Sequence, residues 1–197
     1  MKSNQLIYGI GVSVLLAMCP SLIAATRANA CVLPPATPAS YTWNFQNEAN
    51  QTFRTILDEA ETVRYFADQL EFFPSNGITD WWTHGDMLMQ LRTSVNEIGG
   101  TVCRLEAIRR VVAPWQQKTI DEIISTITLM ADNTQDAITF GNNNQLALWK
   151  PVYADYLKNI YNESSKLTKS LNQAVQFARV GSEYNQLKKD VGAKSTS

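Results

Sequence analysis

The sequence predicts an all-α protein, an antiparallel up-down-up-down four-helix bundle preceded by a proline-rich N-terminal leader. Two observations point there directly. Four stretches of apolar residues recur at the alternating 3-and-4 spacing of one helix face, and prolines, glycines and asparagines punctuate the breaks between them. A third is negative: no stretch alternates apolar and polar residues as a half-buried strand would. Four helices of similar length with short connections pack as antiparallel neighbours.

Before the helices lies an export signal over residues 1–30. Lys2 gives a weakly positive start, the run from Leu6 to Met18 is uncharged and apolar apart from Ser13, and Ala28-Asn29-Ala30 supplies the small residues of a signal-peptidase site. The apolar run is about 13 residues, short of the roughly 20 that a spanning helix needs, and Arg27 closes it. Export to a periplasmic or extracellular space is therefore the expected address, with a cut after Ala25 as the alternative site. Residues 31–42 form the leader, stiffened by Pro34-Pro35-Ala36-Thr37-Pro38. Lipidation of Cys31 is the competing reading of that segment, but Ala28 stands where bacterial lipoprotein processing generally wants an aliphatic residue.

The bundle is assigned to residues 43–187. In helix 1, Ala49, Phe53, Ile56, Ala60, Val63, Ala67 and Leu70 form a 4-3-4-3-4-3 seam that Phe73-Pro74-Ser75-Asn76-Gly77 terminates. Thr79 is placed to cap helix 2, whose seam is Leu88, Leu91, Val95, Ile98, Val102 and Leu105. That register runs through Gly99-Gly100 to about Val112. The glycine pair suggests close approach of a neighbouring helix or a kink.

Pro114 opens helix 3 at the position proline tolerates best, Ile120, Ile123, Ile127, Met130, Thr134 and Ala137 are its seam, and Gly141 ends it. Pro151 opens helix 4 after an asparagine loop and a short apolar turn. Leu157, Ile160, Ser164, Leu167, Leu171, Ala174, Ala178 and Gly181 face inward, and residues 188–197 read as a polar, flexible tail.

The chain has 17 basic and 18 acidic residues; without Lys2 and Arg27 the exported form keeps 15 against 18, a net charge of −3. No basic surplus points to nucleic acid or an anionic membrane, and no apolar segment long enough to span a membrane follows the signal. Cys19 leaves with the signal, so Cys31 and Cys103 are expected to form a disulfide in an oxidising compartment, closing a loop of about 73 residues. Without a Cys-x-x-Cys pair, redox and zinc roles have no footing.

Catalytic motifs are missing. The single histidine, His84, would have to serve any nucleophile, yet there is no Gly-x-Ser-x-Gly elbow and no glycine-rich phosphate loop. Carboxylates such as Asp58, Glu59, Glu61, Asp132 and Asp136 fall off the seams, where they read as solvated faces. The protein is accordingly expected to be non-enzymatic, with no metal and no cofactor, and to bind a protein or envelope partner.

The alternative is a b-type haem or other cofactor bundle using His84, with Met87, Met89 or Met130 as the second ligand. Binding is expected to centre on His84, Asp80, Trp81 and Trp82, where titratable and aromatic groups converge. Trp43, Trp81, Trp82, Trp115 and Trp149 all stand near helix starts. They read as plugs closing the core, the alternative being an aromatic contact surface at each end. Tyr65, Phe66, Tyr153, Tyr156, Tyr161, Phe177 and Tyr184 widen the seams of helices 1 and 4, any surplus being a partner surface. A faint echo, Arg54-Thr55 with Glu59 against Arg92-Thr93 with Glu97, hints at helix duplication.

Overall fold

The computed structural model describes residues 44–75 and 81–194, with side chains from 44 to 72 and from 82 to 192. The signal, the leader with Cys31, Trp43, Thr79 and Asp80 lie outside the described residues, as does the side chain of Trp81. Four helices make up the fold: α1 (Phe45–Ser75), α2 (Trp81–Ile108), α3 (Pro114–Asn143) and α4 (Pro151–Lys194), with a 3-10 turn, Arg109–Val111, closing α2. No strand occurs among the described residues.

The helices pack around a square in the order α1–α2–α3–α4–α1. Cross-links fix their directions. At one end the starts of α1 and α3 meet the end of α2. There Gln116, almost fully buried, donates from Nε2 to the Gln46 carbonyl at 2.9 Å and to Asn50 Oδ1 at 2.8 Å, while its Oε1 accepts the Ala113 N–H at 3.0 Å. Arg104 of α2 grips Glu48 of α1 with two hydrogen bonds, and Arg109 reaches Asp121 of α3 at 2.5 and 2.6 Å. Along α3 and α4 the order reverses: Asn159 of α4 donates to Asn133 Oδ1 of α3 at 3.1 Å, and Ser170, further along α4, donates to Glu122, earlier in α3, at 2.9 Å. The bundle is therefore up-down-up-down.

The seams are the core. Every apolar residue assigned to the seams of α1, α2 and α3 is buried, joined by Ile108 and Val112. Thr134, the polar member of the α3 seam, is buried with its hydroxyl donating to the Met130 carbonyl at 2.7 Å. Asn44 caps α1, its Oδ1 accepting the Asn47 N–H at 3.0 Å.

Three details depart from the sequence reading. First, α2 stops at Ile108 and finishes in the 3-10 turn. Pro114 holds Ala113 extended (φ −63°, ψ 151°), so the chain must leave the helix just before it.

Second, the helix passes unbroken through Gly99-Gly100, and a Cβ added at either meets nothing within 4 Å. The pair thus marks no close helix approach.

Third, α4 runs to Lys194 and is 44 residues long against 30 and 31 for α3 and α1, an excess of about 20 Å. Its inward stripe holds through Ala174, but Ala178 is half-buried and Gly181 exposed, because no other helix of the bundle extends that far.

Candidate functional site

At the other end of the bundle, the start of α2, the end of α3 and the start of α4 bring together His84, Phe140 and Tyr153. His84 is one turn before Leu88, and Tyr153 one turn before Leu157, so each continues its helix's seam and points inward. His84 is only 2% exposed and Tyr153 is fully buried. The His84 Nε2 and the Tyr153 hydroxyl share a hydrogen bond, the two rings are 5.4 Å apart, and Phe140 stacks on the tyrosine at 5.6 Å.

Burial disfavours both charged forms. It lowers the His84 pKa from 6.5 to about 4 and raises that of Tyr153 well above its ordinary value. At neutral pH both groups are uncharged. The His84 Nδ1 is buried without a hydrogen-bond partner. If Nε2 accepts from the tyrosine, a buried Nδ1–H is orphaned. If Nε2 donates, both the Nδ1 lone pair and the tyrosine proton lack partners. The first arrangement leaves fewer groups unpaired.

This geometry sets His84 apart from Trp82, the two described side chains of the group the sequence points to. His84 belongs to the core, whereas Trp82, two positions earlier on α2, is 83% exposed. Tyr153 and Phe140 are the described aromatic neighbours at this end, the first bonded to His84 and the second stacked on that tyrosine. The seam spacings 84–88–91 and 153–157–160 carry the signal for this burial in the sequence.

The tryptophans divide in the same way. Trp115 is a core plug, packed edge-on against Phe53 at 6.3 Å and Phe177 at 5.0 Å. Trp149, by contrast, is 70% exposed in the α3–α4 connection. Beside it in sequence Leu146 is 97% exposed and Val152 is also exposed, while Leu148 is buried and anchors the loop. Successive turns, Ala147 N–H to the Asn144 carbonyl at 2.8 Å and Lys150 N–H to the Ala147 carbonyl at 3.1 Å, hold that loop against the bundle end. This end therefore presents Trp82, Leu146, Trp149 and Val152 to solvent.

Ligation of an iron through His84 Nε2 would require it to give up Tyr153, and Nδ1, though unbonded, is itself buried. Met130 is fully buried on α3, Met87 shares α2 with the histidine, and Met89 is exposed. Among the described residues no group of three His, Cys, Asp or Glu side chains is placed to hold a metal ion. Nor is any described helix long and apolar enough to cross a membrane.

Asp58, Glu61, Asp132 and Asp136 are exposed on helix flanks. Glu59 differs. It is half-buried beside Glu97 and Ser94 of α2, so the two glutamates of the sequence echo meet across the α1–α2 interface. Burial, then the charge of Glu97 and a hydrogen bond shared with it, raise the Glu59 pKa; a hydrogen bond with Ser94 works the other way.

No protein-family model, no curated protein and no solved structure matches this chain.

Proposed function

We propose that the protein is exported and acts as a non-enzymatic interaction bundle of the cell envelope or secreted fraction. It would receive a protein partner on the apolar bundle end formed by Trp82, Leu146, Trp149 and Val152. The observation that carries this reading is the exposure of two tryptophans and a leucine around a core that is otherwise filled by its own side chains. Large aromatics that stay in water on a folded protein are the usual anchors of an interface, because they bury much area at little entropic cost. The core histidine supports it from the other side. A neutral His84 bonded to Tyr153 and sealed from solvent is placed as a structural element, where it has no access to a substrate.

Export follows from the signal-like residues 1–30. In that compartment Cys103, half-buried on α2, pairs with Cys31 and staples the leader to the bundle.

The test is a photoreactive side chain at position 149 in protein expressed in its native exported fraction. A discrete cross-linked adduct, lost when Trp82→Ser and Leu146→Ser are introduced together, is the expected result. No adduct from positions 146, 149 or 152, with turnover of a substrate by the purified protein, would sink the reading.

A further inference from the structure

The C-terminal part of α4 carries a second apolar stripe that the described bundle engages only at its first residue, Phe177, which meets Trp115. Phe177, Val180, Tyr184, Leu187 and Val191 follow one another at spacings of 3, 4, 3 and 4, and all five are exposed. They do not prolong the inward stripe. They fall one residue ahead of Ala178, Gly181, Asn185 and Lys188, which do, and so lie about 100° round the helix. A 3-4 repeat is the seam of a two-stranded coiled coil, with Phe177, Tyr184 and Val191 at the a positions and Val180 and Leu187 at d. An isolated helix gains nothing from such a repeat in water, and beyond Phe177 no described helix of the bundle faces this one.

The charges choose the partner and its direction. With that register Glu183 and Asp190 fall at g, and Lys188 at e. In a parallel, in-register pair of identical helices, g of one strand faces the e five residues later on the other, so Glu183 meets Lys188 of the second copy on both sides. An antiparallel pair would instead set Glu183 against Asp190, acid against acid. Glu183 already lies 3.5 Å from Arg179 of its own helix, but both are well exposed, and such a pair offers little resistance to exchange. The rotation of the stripe away from the inward face also matters. It lets two α4 helices meet while their bundles lie on the outer sides of the pair.

We propose that this section of α4 joins a second copy of the chain in a parallel two-stranded coiled coil beyond the end of the bundle. The contact spans about two heptads, below the area of a permanent interface, and gives a weak, concentration-dependent dimer. It stands apart from the proposed function, because Trp82 and Trp149 are at the opposite end of the molecule.

The experiment is sedimentation equilibrium of the exported chain from about 5 to 500 μM, a range bracketing the micromolar dissociation constants of small interfaces. The weight-average mass is expected to rise from one copy towards two. Y184E with L187E should hold it at one copy with unchanged helical signal and melting temperature, since neither side chain supports the fold. E183K alone should weaken the dimer several-fold, and E183K with K188E should restore it. V191C, oxidised after the native thiols are paired, should cross-link copies at position 191 if the strands are parallel.

A single copy at every concentration would overturn the proposal. So would a dimer indifferent to Y184E/L187E, or cross-linking of V191C to V180C in place of V191C to itself. Hydrogen exchange over residues 179–192 that speeds up when residues 31–42 are deleted, without change in mass, would overturn it in favour of the leader as the occupant.

Discussion

Burying the only histidine of the chain against a tyrosine hydroxyl couples the stability of one bundle end to pH. The folded pKa of about 4 lies below the ordinary 6.5, so between these values the unfolded chain binds a proton that the folded chain refuses. Stability is then complete above about pH 6.5 and falls as pH drops towards 4, by on the order of 3 kcal/mol for this group. Chemical unfolding at several pH values should show this fall, and His84→Gln, which keeps a hydrogen bond to Tyr153, should flatten it. Tyr153→Phe strands the remaining histidine nitrogen in the core and should cost about 1–3 kcal/mol at pH 7.

Glu59 has the opposite sign. Its folded pKa is raised, so its contribution is most favourable at low pH and is lost as the carboxyl ionises beside Glu97. Glu59→Gln should therefore raise the melting temperature more at pH 7 than at pH 4. At this scale the sequence told only part of the story. His84 and Tyr153 could be placed by extending their seams one turn, but their pairing joins helices 69 residues apart. Gln116 had no such signal: nothing local shows that a glutamine in the first turn of α3 closes three hydrogen bonds.

Among the elements, the seams were legible because burial in a bundle repeats every three or four residues, and that repeat survives any detail of side-chain packing. What the repeat cannot report is where a helix outlasts its neighbours. Ala178 and Gly181 keep the inward register of α4 yet leave the core, because α1 and α3 are shorter. Gly99 and Gly100 show the same limit. Their presence in a helix suggested a packing purpose, but there is open space where each Cβ would be. Gly99→Ala and Gly100→Ala should each stabilise α2 by about 1 kcal/mol, read as a rise in the denaturation midpoint without change in slope. A loss of stability from either alanine would show that a neighbour comes closer than this geometry allows.

For the molecule as a whole, the two ends are built differently. One is closed by Gln116, Trp115 and the Arg104–Glu48 and Arg109–Asp121 pairs, with α4 running past them. The other is closed from within by His84, Tyr153 and Phe140 and presents Trp82, Leu146 and Trp149 outward. Removing the proposed Cys31–Cys103 link by Cys103→Ala should lower stability by about 2–5 kcal/mol under oxidising conditions and leave the reduced protein little changed.

The central claim is that an exported bundle works by contact and without bound chemistry, and native mass spectrometry of protein drawn from its own exported fraction tests it most directly. The account predicts a polypeptide of residues 31–197 less two hydrogens, carried in complexes with a partner protein or a second copy. A lone polypeptide bearing a small molecule that leaves on denaturation, or one that still holds residues 1–30, would contradict it.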